Sequence, residues 1–312
     1  PGQQAFTYAE PVSINQYGLR GPELQNRDEI DLRVICLGDS ITFGVGVPDE
    51  VPFPRQLEAR LSEHDPALGV EVINAGVQRY FTYQEIDWLR SRGLPLRPDI
   101  VILACYYNDL GLRPTGEYVR EFENQREQAA TSLRNHLPWL YLAAKNSALV
   151  ELAKQAWLTS KKRKSYLSRV DAHLTAREER EWKALEDELA SFRRLAESEG
   201  FVPIVVTIPA RIQVQQNLFS GPFPRRVLEI CRRLGVRAVD TSPLLVRSLE
   251  EGADPYLPWD NHLSEIGHRI VAARLFDVVE SVRLGQQDEG SGFAGKGERR
   301  PEPTPLNERA IR

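Results

Sequence analysis

The chain has 312 residues, 41% of them hydrophobic and 27% charged, which is the balance of an ordinary soluble globular protein with ample length to bury a core. A net charge of −4 excludes a global basic field for nucleic acid, so no nucleic-acid partner is expected. No run of about 18 apolar residues reads as a membrane span, and the three cysteines, Cys36, Cys105 and Cys231, show neither CxxC nor Cys/His spacing, which argues against a zinc site or a disulfide framework.

The chain starts at Pro1, contains no methionine and shows no signal peptide. The expectation is that something preceded it, a removed signal or an anchor. That favours a location outside the cytoplasm and allows membrane proximity through an upstream segment. Residues 1–30 are polar and rich in turn signals, and read as an irregular arm. From Leu32 a regular alternation begins. LRVICLGD reads as a buried strand and PFPRQLEARLSEH as a helix with proline near its start. VEVINAG is a second strand, TYQEIDWLRSRG a helix ending at Gly93, and DIVILACYYND a third strand.

Residues 117–200 contain no convincing strand and are expected to be a helical insertion, forming a partial lid. Within them AREEREWKALEDELASFRRLAESEG carries Trp182, Leu185, Leu189, Phe192 and Leu195 on one helical stripe, which is most simply core-facing. The basic run KKRKSYLSR reads as a solvated face in preference to a contact with anionic lipid or glycan. The alternation resumes with the strand FVPIVVTIPA, the helix PFPRRVLEICRRLG, the strand VRAVDTS and a last amphipathic helix, SEIGHRIVAARLFDVVESVRL. Continuously apolar strands separated by helices predict a parallel sheet covered on both faces, an α/β domain over residues 31–284. The Gly/Pro/charge-rich tail, residues 285–312, reads as disordered.

The first strand opens onto Gly38-Asp39-Ser40. A phosphate cradle is poorly supported, because GxxxxGK[ST] is absent and Asp49 stands where the third glycine of GxGxxG would be. The α/β-hydrolase elbow GxSxG is absent too, since Thr42 replaces its second glycine. A serine at the carboxyl end of a parallel strand is nevertheless where open α/β sheets bind ligands, and a serine nucleophile needs a base. Of the five histidines, His64 ends a surface helix, and His136 and His173 fall in the insertion. His262 and His268 lie in DPYLPWDNHLSEIGHRI, where Asp260 stands two residues before His262. Ser40, Asp260 and His262 thus make a candidate triad by role. The competing reading is that Asp260 and Ser264 merely cap the last helix. His268, inside that helix, reads as a packing or hydrogen-bonding histidine.

These residues resemble the SGNH, or GDSL-type, hydrolases. GDSITFG is similar to their first block, whose serine is the nucleophile, here Ser40. INAG is similar to the second, whose glycine N–H, here Gly76, contributes to the oxyanion hole. YYND is similar to the third, GxND, whose asparagine, here Asn108, completes that hole, and WDNHLSEIGH to the last, which carries the acid and base. The resemblance covers about Ile35 to Leu275. It implies a flavodoxin-like three-layer α/β/α sandwich that cleaves or transfers acyl esters without metal or cofactor. Its partner would be a small-molecule or glycan ester. The competing readings for Gly76 and Asn108 are a turn glycine needing positive φ and a turn residue closing its strand.

Two departures matter. Tyr106 replaces the glycine of GxND, which would narrow the acyl pocket, and the acid–base pair is Asp-x-His where Asp-x-x-His is more usual. A similar pair occurs in the branch resembling the alginate O-acetyltransferases, which shifts weight toward polysaccharide acyl chemistry. The arm segment INQYGLRGPE also resembles one that precedes the first block in many bacterial members. Serine-dependent ester hydrolysis is therefore expected, with an O-acetylated carbohydrate or a short-chain ester as substrate, O-acyl transfer as runner-up and a non-catalytic glycan-binding fold as the rival class. Asp39 reads as a turn acceptor, and Tyr106, Tyr107 and Trp259 as candidates to line the pocket.

Overall fold

The computed structural model describes residues 3–7, 10–106, 109, 176–215, 222–258 and 261–285. The arm is more regular than its composition suggests: β1 (Gln3–Thr7) and β2 (Glu10–Ile14) pair as an antiparallel hairpin. Beyond it, Arg20 bridges to Asn74, at the edge of the main sheet. That sheet contains β3 (Leu32–Gly38), β4 (Val70–Gly76), β5 (Ile100–Cys105), β6 (Val202–Thr207) and β7 (Arg237–Asp240). All four pairings are parallel, in the order β4-β3-β5-β6-β7. The chain therefore steps from β3 to one side and then crosses to the other. This leaves a topological switch point between the carboxyl ends of β3 and β5, where such sheets bind ligands.

Side chains alternate between two cores, as the period-two pleat requires. Val34, Cys36, Ile102 and Ala104 face one layer, formed by α2 (Phe53–His64), α7 (Ser242–Glu250) and α8 (Glu265–Arg283). Ile35, Leu37, Val101 and Leu103 face the other, formed by α3 (Thr82–Trp88), α4 (Ala176–Glu199) and α6 (Pro222–Leu234). Two short helices, α1 (Ser40–Phe43) and α5 (Arg211–Gln215), sit at the carboxyl ends of β3 and β6. Burial on both faces explains why the strands are apolar without alternation. The three cysteines are free and buried.

The helix α4 corrects the expectation of an insertion over residues 117–200. Its Trp182, Leu185, Leu189, Phe192 and Ala196 are buried in the second core. The ring of Trp182 lies 5.6 Å from that of Phe223, and Arg226 and Arg233 of α6 pair with Glu179 and Glu186 of α4. Gly200, at φ +79°, ends the helix, its N–H bonded to the Ala196 carbonyl at 2.8 Å. Residues 176–199 thus form a helix of the crossover that enters β6, part of the sandwich itself. Periodicity identified the buried stripe but not its partner, because a stripe does not say which sheet covers it. The remainder of the expected insertion, with the basic run, and the tail beyond residue 285 lie outside the described residues. Among the described residues no helix is long and apolar enough to cross a membrane.

Candidate active site

The site grows from the end of β3. Gly38 takes φ +156°, and a Cβ there would lie 2.1 Å from Thr42 Oγ1, so only glycine lets the chain turn this tightly. Asp39 then caps α1, its Oδ1 accepting the Ile41 N–H at 2.8 Å, and Ser40 becomes the first helical residue. Gly44, in the left-handed region at φ +82°, ends α1 after a single turn. Two neighbours clamp this turn. Gly76, level with Gly38 across β3 and β4, comes so close that a Cβ on it would stand 2.2 Å from Phe43 N. Glycine is needed there for the approach of two backbones, and not, as the competing reading held, for a positive φ.

On the other side the buried Arg20 guanidinium donates to the carbonyls of Phe43 at 3.0 Å, Gly44 at 2.5 Å and Val47 at 2.6 Å. It also pairs with Asp49 at 3.0 Å. Burial, the largest influence, draws its pKa down, while Asp49 opposes that.

The second arm of the site precedes α8. Leu257 N–H donates to the His262 carbonyl at 2.9 Å, Tyr256 bridges to Leu263, and Ser264 N–H donates to Pro255 O at 3.0 Å. The loop is anchored below by Tyr256 Oη on Pro209 O at 2.6 Å and by Arg211 on Asp254 Oδ2 at 2.6 Å. Ser264 caps α8, and Gly267 lets α8 abut the loop, since a Cβ there would meet Pro255 O at 2.1 Å. The result brings His262 Nε2 to 3.0 Å from Ser40 Oγ, across 222 residues of sequence. Both residues are half-buried. With Nε2 unprotonated this contact is a serine hydroxyl donating to a base, the geometry required of an activated nucleophile.

The other expected residues divide. Asp260, Asn108, Tyr107 and Trp259 lie outside the described residues. The N–H of Gly76 donates to Asn74 Oδ1 at 3.0 Å. The cause is local: Asn74 sits two residues back on the same strand, with its side chain on the same face. Tyr106 is buried in the core that also holds Ile41. His268 is buried, its Nδ1 accepting the Phe53 N–H at 3.2 Å. Burial, followed by the charges of Arg20 and His262, pulls its pKa down to about 3, so it stays neutral and structural.

Three further residues belong to this neighbourhood: Arg20, Glu85 and Asp109. Arg20 lies in the arm segment INQYGLRGPE, whose resemblance marked the segment but not this side chain. Glu85 left a faint one, an acid one position before Ile86 on the apolar face of α3. Asp109 was visible only as the last letter of a motif. Among the described residues no group of three or more His, Cys, Asp or Glu side chains is placed to hold a metal.

The profile of the GDSL-like lipase/acylhydrolase family matches residues 36–270. No curated protein matches the sequence. Solved structures with a similar course include a two-domain esterase (CEX) active on acetylated mannans, at 13% identity and TM-score 0.50, covering 85% of this chain and 53% of that one. Another is Axe2, an acetylxylan esterase from Geobacillus stearothermophilus, at 16% identity and TM-score 0.49, covering 88% and 100%. A third is a lipase/acylhydrolase from Enterococcus faecalis, at 15% identity and TM-score 0.47, covering 80% and 96%. At 13% identity, the likeness to the esterase active on acetylated mannans shows the α/β fold alone.

Proposed function

The chain belongs to the GDSL-like lipase/acylhydrolase family and is a carboxylic ester hydrolase, and from that premise we propose that Ser40 is its nucleophile, His262 its general base and Asp260 the acid that orients His262. The observation that carries the reading is the 3.0 Å contact between His262 Nε2 and Ser40 Oγ at the carboxyl end of β3. His262 takes the hydroxyl proton as Ser40 attacks the ester carbonyl, and returns it to the leaving alcohol. Water then repeats the sequence on the acyl-enzyme. The oxyanion is held by the Ser40 N–H and the Asn108 amide, each such donor being worth about 10²–10³ in rate. The Gly76 N–H joins them only if Asn74 releases it.

The acyl group is short. Tyr106 stands where the resembled block has glycine, and its ring, buried in the core that holds Ile41, fills volume a glycine would leave open. An O-acetylated carbohydrate is the favoured alcohol. In support, the half-buried rings of Phe81 and Tyr83, which stack at 6.0 Å just beyond the end of β4, are faces of the kind on which sugars pack. The esterase active on acetylated mannans has the same fold. Such a substrate goes with a place of action outside the cytoplasm.

The test is hydrolysis of p-nitrophenyl acetate, butyrate and octanoate by the unmodified chain, Ser40→Ala and His262→Ala. Turnover is expected to fall with acyl length and to drop by roughly 10⁴ or more in either variant with folding unchanged. Full activity in Ser40→Ala would remove the serine mechanism. Sugar acceptors added to the assay distinguish hydrolysis from O-acyl transfer.

A further inference from the structure

The arm segment INQYGLRGPE has no place in the chemistry proposed above, yet in the structure it is a built loop. Asn15 is buried. Its Oδ1 accepts the N–H groups of Tyr17 and Leu19, both at 3.0 Å, and its Nδ2 donates to Pro22 O at 2.8 Å. The backbone closes the same loop: Asn15 N–H donates to Leu19 O and Gly18 N–H to Asn15 O, both at 2.9 Å. Gly18 supplies the left-handed residue, at φ +78°, that so tight a return needs. Arg20 then bridges to Ile14, and Gly21 N–H donates to Ser13 O at 3.0 Å, so the chain leaving the loop runs back along β2. Among the described residues, Asn15 makes all its hydrogen bonds within the arm.

What this loop presents is the Arg20 guanidinium, and the carbonyls it grips are those of the nucleophile turn. From outside, Arg20 donates to Phe43 O and Gly44 O. From within, Phe43 N–H donates to Asp39 O at 3.0 Å, and Gly44 N–H and Val45 N–H donate to Ser40 O at 3.1 and 3.2 Å. One residue, Gly44, therefore joins the guanidinium to the backbone of Ser40. A single helical turn such as α1 holds its shape poorly by itself, and a fixed cation at its last carbonyls complements the dipole there. Asp49 sets the fork in place: Oδ1 accepts Arg20 Nε–H at 3.0 Å and Oδ2 accepts the Ser13 N–H of β2 at 2.8 Å. On its other side Arg20 bridges to Asn74 of β4. A lysine ammonium cannot meet acceptors arranged around a planar fork.

We propose that residues 15–20, with Asp49, are a positioning device for the nucleophile turn: Asn15 preorganises the loop, the loop presents Arg20, and Arg20 holds the turn that keeps Ser40 Oγ 3.0 Å from His262 Nε2. Asn15 and Arg20 are then positioning residues for the ester hydrolysis proposed above. That role rests on Ser40 being the nucleophile, whereas the clamp on the turn does not. Neither residue is among those proposed to touch the ester. Their loss misplaces Ser40 against its base, so it falls on kcat and spares KM.

The experiment compares the full chain, Asn15→Ala, Arg20→Lys and the double variant, each assayed below its thermal midpoint. It measures kcat and KM for p-nitrophenyl acetate, and amide hydrogen exchange over residues 40–47. Asn15→Ala is expected to lower kcat by about three- to tenfold and Arg20→Lys by about tenfold or more, with KM within about twofold in both. The double variant should stay within about twofold of Arg20→Lys, because Asn15 works through the guanidinium it presents. Exchange over residues 40–47 should quicken by about tenfold in Asn15→Ala while β5 keeps its rate. An unchanged kcat in Asn15→Ala would overturn the positioning role, and unchanged exchange would overturn the clamp. Losses that multiply in the double variant would also overturn the device, since two independent groups behave that way. So would a raised KM with kcat intact, which would put the arm on the substrate. If Arg20→Lys does not fold, Asn15→Ala decides by itself. If the unmodified chain turns over no ester, the Ser40 reading has failed, and hydrogen exchange still decides the clamp.

Discussion

A methyl group at position 76 has nowhere to go. It would stand 2.2 Å from Phe43 N and 2.7 Å from Thr42 C, both backbone atoms that cannot swing aside. Gly76→Ala is therefore expected to push α1 away from β4, costing about 1–3 kcal/mol in chemical denaturation and displacing Ser40 from His262. A variant with native stability and full esterase activity would show that the two backbones are not held this closely. Ser40, Asp39 and Gly76 were legible in the sequence because each sits at a strand end, inside a short motif with its own spacing. Arg20 and Glu85 were not, because the partners that give them meaning are brought in by folding. Arg20 meets carbonyls more than twenty positions away, and burial together with the charge of Asp109 raises the Glu85 carboxyl.

At the level of elements, the arm and α4 depart most from their reading in sequence. The arm forms the hairpin of β1 and β2, and through Arg20 it reaches the loop that follows Ser40 and α1. Arg20→Ala leaves three carbonyls without their donor, and Asp49 without its partner. It should lower stability by about 2–4 kcal/mol and reduce kcat as the loop drifts. Lysine at position 20 should recover little, because an ammonium cannot reproduce the planar fork. For α4, a lid and a core helix make opposite forecasts. Phe192 is fully buried against the sheet, its ring 5.8 Å from that of Phe201. Phe192→Ala is expected to cost about 3–5 kcal/mol of unfolding free energy. A loss below about 1 kcal/mol would return the helix to the surface.

For the whole molecule the buried titratable groups set a pH window. His268 has a folded pKa of about 3, below its ordinary value. At acid pH the unfolded chain binds a proton here that the folded chain refuses, so stability declines as pH falls from about 6.5 toward that value, at up to about 1.4 kcal/mol per pH unit. Glu85 and Asp109 act on the other side, eroding stability as pH rises. Denaturation midpoints should peak between the two limbs, and His268→Gln should flatten the acid limb alone. An acid limb unchanged in that variant would show that another group carries it.

The sequence by itself determined the layered α/β sandwich and the elements that build its sheet. Strand apolarity and helix periodicity are local patterns set by burial, and they persist whatever the neighbours are. It also placed Ser40 at a strand end and singled out His262 as the candidate base, since a serine nucleophile would restrict its partners to few residue types and five histidines were available. Only the tertiary structure decided that α4 covers the sheet, that Gly76 packs against the backbone of α1, and that Arg20 reaches the carbonyls that follow Ser40. Each of these depends on which surfaces meet when residues far apart in the chain pack together. Contacts of that kind follow from the closing of the core, and no periodicity or motif along the chain encodes them.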